Sequence, residues 1–193
     1  MFRNIFRPTS GASTRFQNYR ALSYVSSHSI SPATLYRFQV RPESQLFDKR
    51  LDQDDWEWED GIEVARDGLV YPKISPDVSN GALFMPNTHF LQEITRRSFD
   101  NYLDAIDNGQ AEACPLYLTI SKGTAIPKSL TLYRERDSRF TLQPSYPMTL
   151  QALNEALTNF YTKSCSSTPP EDWLEKNPYH EAFFDNKEEW MDC

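Results

Sequence analysis

The sequence is short of the residues that most metal and nucleotide motifs require. Its 193 residues hold only six glycines, three histidines and three cysteines. Gly11, Gly61, Gly68, Gly81, Gly109 and Gly123 never fall in GxGxxG or GxxxxGK[ST] spacing. The Gly-rich loops that cradle phosphates are therefore excluded. His28, His89 and His180 form no HExxH, and Cys114, Cys165 and Cys193 give no CxxC. No metal site is expected from such a set. Odd, scattered thiols fit an intracellular, reducing compartment better than a disulfide scaffold. Mean hydropathy is −0.64, and no run of about 18 apolar residues occurs, so no membrane insertion is expected.

Acidic residues are missing from one end. Residues 1–42 carry Arg3, Arg7, Arg15, Arg20, Arg37 and Arg41 with no Asp or Glu. The other 151 residues carry 14 basic and 27 acidic side chains, net −13 within an overall −7. Residues 1–30 are Arg-rich, Ser-rich and acid-free, which is the composition of an organelle transit peptide or a basic disordered tail. Arg20-Ala21-Leu22-Ser23 has the form of a mitochondrial processing site, so mitochondrial import is one expectation for this leader. The acidic run Asp52–Asp60, with Trp56 and Trp58, reads as a solvated loop pinned by its indoles. After Thr168-Pro169-Pro170, residues 171–193 carry eight acids, two lysines and several aromatics. That composition predicts an arm, 168–193, that docks on the body or on a partner.

Between the arms the pattern is mixed. Ala33–Val40 alternates apolar and polar residues and predicts a strand. Leu69–Tyr71 and Gly81–Met85 read as short strands. Asn87-Thr88 opens a helix through Phe90, Leu91, Ile94 and Phe99, with Asp100–Ile106 as a second helix or its continuation, and Asn108-Gly109 stops it. Pro115–Ile120, Leu130–Arg134 and Phe140–Gln143 read as strands, and Lys122–Pro127 as a turn. Thr149 caps a last helix whose apolar face is Leu150, Leu153, Ala156, Leu157, Phe160 and Tyr161. Strands with helices set between groups of them predict an α+β domain over 31–167.

Several segments in order resemble a known family. They are Thr34-Leu35-Tyr36-Arg37, Arg66–Pro72, Gly81–Pro86, Ile120–Leu130, Arg139–Pro144, Pro147-Met148 and Leu153-Asn154-Ala156-Leu157-Phe160. Together they resemble the ADP-ribosyltransferase-like toxin family of the second exported effector of type VI secretion, and its fungal relatives. The similarity covers about residues 33–163. It implies split antiparallel β-sheets with flanking helices and NAD, as substrate, in the cleft between them. It also implies an intracellular macromolecular target and an immunity-like partner.

The resemblance also implies site residues. Arg37 matches the first-strand arginine, whose fork of donors grips a phosphate or ribose. Tyr71, Asn80 and Ala82 fall where the nicotinamide side of NAD is lined. Arg139 and Gln143 fall on the late strand, Arg139 as a binder of the pyrophosphate and Gln143 as a holder of a ribose hydroxyl, and with Arg37 they are the expected catalytic residues. The middle position holds Ala82, Leu83 and Phe84 where the family places Ser or Thr. Arg139 stands where the resembling toxin has histidine, and the usual transferase Glu is absent there. Glu135 is the nearest carboxylate, at an expected turn. Two readings stay open at this level: an NAD-dependent transferase, and a degenerate transferase fold that serves as a protein-binding module. Self-inhibition by the acidic arm, laid over the arginines, is a third expectation.

Overall fold

Thr88 and Thr149 set the two long helices. In a computed structural model of the protein, the Thr88 hydroxyl accepts from the Leu91 N–H at 3.1 Å, and that of Thr149 from the Ala152 N–H at 3.2 Å. Each satisfies one donor that a helix start leaves unpaired. The structure describes residues 24–50, 60–72, 80–110, 115–135 and 138–178. The leader up to Ser23, the acidic run through Glu59, Cys114 and the arm beyond Pro178 lie outside them.

In chain order the elements are β1 (Tyr24–His28), β2 (Leu35–Gln39), β3 (Phe47–Asp48), β4 (Gly61–Ile62), β5 (Leu69–Val70) and β6 (Ala82–Phe84). Then come α1 (His89–Asp107), β7 (Leu116–Ile120), β8 (Leu130–Glu135), β9 (Phe140–Pro144), β10 (Met148–Thr149), α2 (Leu150–Ser164), β11 (Ser166–Thr168) and α3 (Pro170–Lys176). Helix α1 is one continuous element. It ends where Asn108 closes on the Asp104 carbonyl and Gly109 takes a φ of 69°, the left-handed turn that glycine adopts without strain.

Two antiparallel sheets dominate. One runs β1-β8-β9-β6 and the other β11-β7-β2. They meet where Tyr36 and Met85 exchange backbone hydrogen bonds at 2.7 and 2.9 Å. The architecture is α+β with split antiparallel sheets, as the sequence pattern and the resemblance imply. Strand β1 comes from the segment read as leader and pairs with β8.

Alternation along the strands makes two cores. Leu35, Leu118 and Ile120 of one sheet and Ala82, Phe84, Leu132, Phe140 and Leu142 of the other enclose the larger core. Helix α2 closes it with Leu153, Leu157, Phe160 and Tyr161, which are four of the six residues expected on its apolar face. The opposite sides of β2 and β6 present Tyr36, Leu83 and Met85 to a second core with Leu91, Tyr117 and Trp173.

Helix α1 departs from expectation in its buried face. It buries Leu91, Gln92 and Thr95, while Phe90 is exposed. Two of these are polar because they have partners. Gln92 Nε2 donates to the Asn177 carbonyl at 2.7 Å, and the hydroxyls of Thr95 and Tyr117 meet at 2.6 Å. Buried polar groups are tolerated when so paired. Pro170 is the first residue of α3, where its missing N–H costs nothing. The arm thus docks on the protein's own second core through residue 177.

Candidate active site

Arg37 sits in the middle of β2 on the same side as Leu35, facing the larger core. Its side chain is 4% exposed. Nε donates to Gln39 Oε1 and Nη1 to the Leu83 carbonyl, each at 3.2 Å, and Nη2 pairs with the Asp60 carboxylate. The guanidinium therefore ties the open edge of β6 to β2 and to Asp60, the residue just ahead of β4. The Tyr161 hydroxyl lies in the same surroundings. Burial pushes it up to about 12, with Arg37 pulling the other way.

Asn80 is buried and acts as a backbone clamp. Its amide accepts from the Glu63 N–H at 2.8 Å and donates to the carbonyls of Glu63 and Tyr71 at 3.0 Å each. Tyr71 is exposed, and its hydroxyl donates to Asp67 at 2.7 Å across the Asp67-Gly68 turn. That bond holds the Asp67 carboxyl below its usual range. Ala82 is fully buried, opposite Leu142 in the larger core.

Gln143 and Arg139 belong to a different face. Strand β9 begins at Phe140, so Arg139 stands just ahead of it. Thr141 pairs with Leu83 on one side and Tyr133 on the other, and Gln143 pairs with Thr131. These side chains all point away from the larger core, because opposed residues in an antiparallel pair share a face. Gln143 Nε2 donates to Thr141 Oγ1 at 2.8 Å, and the Thr141 hydroxyl donates to Glu135 Oε1 at 2.6 Å. Thr141 and Gln143 are fully buried. Glu135 is the last residue of β8, not part of a turn, and its N–H bonds to the Arg139 carbonyl at 2.8 Å. Burial raises the Glu135 carboxyl above its usual range, while Thr141 and Arg139 oppose that rise.

The structure thus brings Arg139 and Gln143 together with Thr141 and Glu135, and sets Arg37 and Ala82 on the other side of the sheet. The signal for Thr141 was available in the alternation of Arg139-Phe140-Thr141-Leu142-Gln143. Glu135, on the neighbouring strand, needed the β8–β9 register to become legible. Gly81 adds a further constraint. A Cβ there would lie 2.3 Å from the Leu142 carbonyl oxygen and 2.8 Å from Gln143 Cγ. Only a residue without a side chain lets β6 approach β9 at that point.

A family model for the Tse2 ADP-ribosyltransferase toxin matches residues 33–173. The chain belongs to the Tse2 ADP-ribosyltransferase toxin family. The family match begins ahead of β2, spans both long helices and the Glu135–Thr141–Gln143 face, and ends at Trp173 inside α3. It therefore reaches past Thr168 into the arm, and β1 lies ahead of it. No curated protein matches the chain. Among the described residues no group of three or more His, Cys, Asp or Glu is placed to hold a metal ion, and no helix is long and apolar enough to cross a membrane.

Proposed function

We propose that the protein binds NAD as a substrate and transfers its ADP-ribose to an intracellular macromolecule, with Glu135 as the carboxylate of the reaction. The observation that carries this reading is the hydrogen-bonded series Gln143, Thr141, Glu135 across β9 and β8. Loss of nicotinamide leaves positive charge on the ribose carbon. A fixed carboxylate stabilises that charge without reorganising as it develops. Thr141 orients the carboxylate and helps keep it ionised, and Gln143 orients Thr141. Arg139 lies next to Glu135 and takes the negative charge of the diphosphate. Arg37, Asn80 and Ala82 contribute to NAD binding through the position of β6, and Tyr71 through its exposed ring. An immunity-like partner would cover the same surface.

Import through the basic leader belongs to the same proposal. Arg20–Ser23 precede the first residue of β1, so cleavage there leaves every described strand whole. Fluorescence of the full chain, with and without residues 1–20, tests it in yeast; equal cytosolic signal would end it.

The enzymatic reading is tested by nicotinamide release and by calorimetric titration with NAD on the full chain. Micromolar-to-millimolar binding is expected, with release lowered about 100–1,000-fold by Glu135→Gln, the loss typical for one preorganised charge stabiliser. Absence of both binding and release at millimolar NAD would overturn the proposal. Binding without release would replace it by the protein-binding reading.

A further inference from the structure

Ser26 and His28 stand two residues apart on β1 and so share one side of the strand. Ser26 Oγ lies 2.6 Å from His28 Nε2. Across the ladder, Ser26 is opposite Arg134 and His28 is opposite Leu132. Arg134 is in turn opposite Phe140 on β9. The Phe140 ring backs the imidazole at 6.3 Å, tilted 49°. Ser26 and His28 are each partly exposed, so a reagent can reach them from solvent, while Ser27 faces the other way. Burial holds the imidazole below its ordinary range, and Arg134 on β8 pushes in the same direction. In the tautomer that carries its proton on Nδ1, the neutral Nε2 accepts the hydrogen bond of the Ser26 hydroxyl. The pair has the arrangement of a nucleophile and its base, and the register puts a cation opposite the nucleophile.

We propose that Ser26 is a nucleophile, with His28 as its general base, that attacks carboxylic esters whose oxyanion forms beside Arg134. The Ser26 Oγ–carbon bond forms as the hydroxyl proton passes to His28 Nε2. The carbonyl electron pair moves onto oxygen, where Arg134 stabilises it. Collapse breaks the bond to the alkoxide, which takes the proton from Nε2. Water, deprotonated by His28, then releases the acid and restores Ser26. The site lies on the opposite face of the sheet from Glu135 and uses no NAD, so it stands or falls apart from the transferase reading.

The test treats the full chain, without NAD, with a fluorophosphonate and locates the adduct by mass spectrometry. Labelling at Ser26 is expected, with none at Ser27. Ser26→Ala should abolish it. His28→Phe keeps a ring against Phe140 and should slow it about a hundredfold, within the range for losing a general base. The rate should rise with pH and reach half-maximum below 6.5, the ordinary imidazole value. Turnover of p-nitrophenyl acetate should follow the same variants. No Ser26 adduct at millimolar reagent, in protein with an unchanged circular dichroism spectrum, would overturn the proposal. So would equal labelling of the folded His28→Phe variant.

Discussion

The Trp173 indole lies flat on the Tyr117 ring, with centroids 4.6 Å apart and planes 18° apart. Tyr36 meets the same indole edge-on at 5.1 Å, and the Tyr36 hydroxyl donates to Asn177 Oδ1 at 2.9 Å. These contacts fasten α3 to the side of β2 and β7 that Tyr36 and Tyr117 share. Arg37 points to the other side. The described part of the acidic arm is therefore a structural clasp on the second core and does not cover Arg37.

Truncating this clasp should be costly. Trp173→Ala is expected to lower stability by about 3–5 kcal/mol, the usual range for a large aromatic removed from a core. Trp173→Phe should cost less. The buried indole N–H has no hydrogen-bond partner among the described residues, so replacing it leaves no acceptor stranded. Urea denaturation of the three proteins measures both differences. Equal loss for Phe and Ala would mean that stacking area is not what holds α3.

Arg37→Ala should unfasten β6. It removes the hydrogen bond to the Leu83 carbonyl and leaves Asp60 without its cation. Breaking a buried pair costs about 3–5 kcal/mol; Asp60 is 28% exposed, which puts the expectation at the low end. Arg37→Lys retains the charge but not the fork, and should recover only part of the loss. Thermal unfolding should be measured beside any assay of NAD binding. A variant with unchanged stability and lost binding would make Arg37 a direct ligand group.

Glu135 makes stability depend on pH in a definite direction. Its folded-state carboxyl is raised, chiefly by burial. A raised group contributes stability that is fully present below its unfolded value, and that is lost as pH rises through the folded one. Glu135→Gln removes this titration while keeping an acceptor for Thr141. The variant should therefore melt above the parent at neutral pH, and the two should converge below about 4.5, the ordinary glutamate value. Calorimetric melting from pH 4 to pH 8, roughly spanning both protonation states, checks the sign.

Gly81→Ala tests the close approach of β6 and β9. The new methyl would meet backbone, the Leu142 carbonyl oxygen at 2.3 Å, which cannot swing away as a side-chain tip can. Overpacking of this kind typically costs about 1–3 kcal/mol. It would also displace Gln143, whose Cγ lies 2.8 Å from the same point. Lower stability together with weaker NAD binding is expected. A variant as stable as the parent would show that the sheet can open at this point.

The chain's local chemistry was legible residue by residue. Thr88 and Thr149 are helix caps because a threonine hydroxyl satisfies the first free backbone donors. Asn108-Gly109 stops α1 because glycine accepts a positive φ. Leu153, Leu157, Phe160 and Tyr161 recur at helical spacing and become the buried face of α2. The order of short motifs carried the family, and alternation along each strand fixed which neighbours share a side.

Partner choice was not legible, because strand pairing depends on burial between segments far apart in sequence. Strand β1 joins the larger sheet through contacts with β8, more than a hundred residues away, and nothing in a basic, Ser-rich leader announces that. Alternation placed Arg139, Thr141 and Gln143 together, but only the β8–β9 register brought Glu135 to them. Arg37 stood out in the sequence as a cation in an acidic chain. Only the packing of β2 against β6 decided that its fork would meet Asp60, Gln39 and the Leu83 carbonyl. The sequence determined the elements, their caps and the sidedness of each strand, since these depend on neighbours within a few residues. The tertiary structure decided which sides face each other, since a strand's two faces are buried by partners that its own residues do not specify.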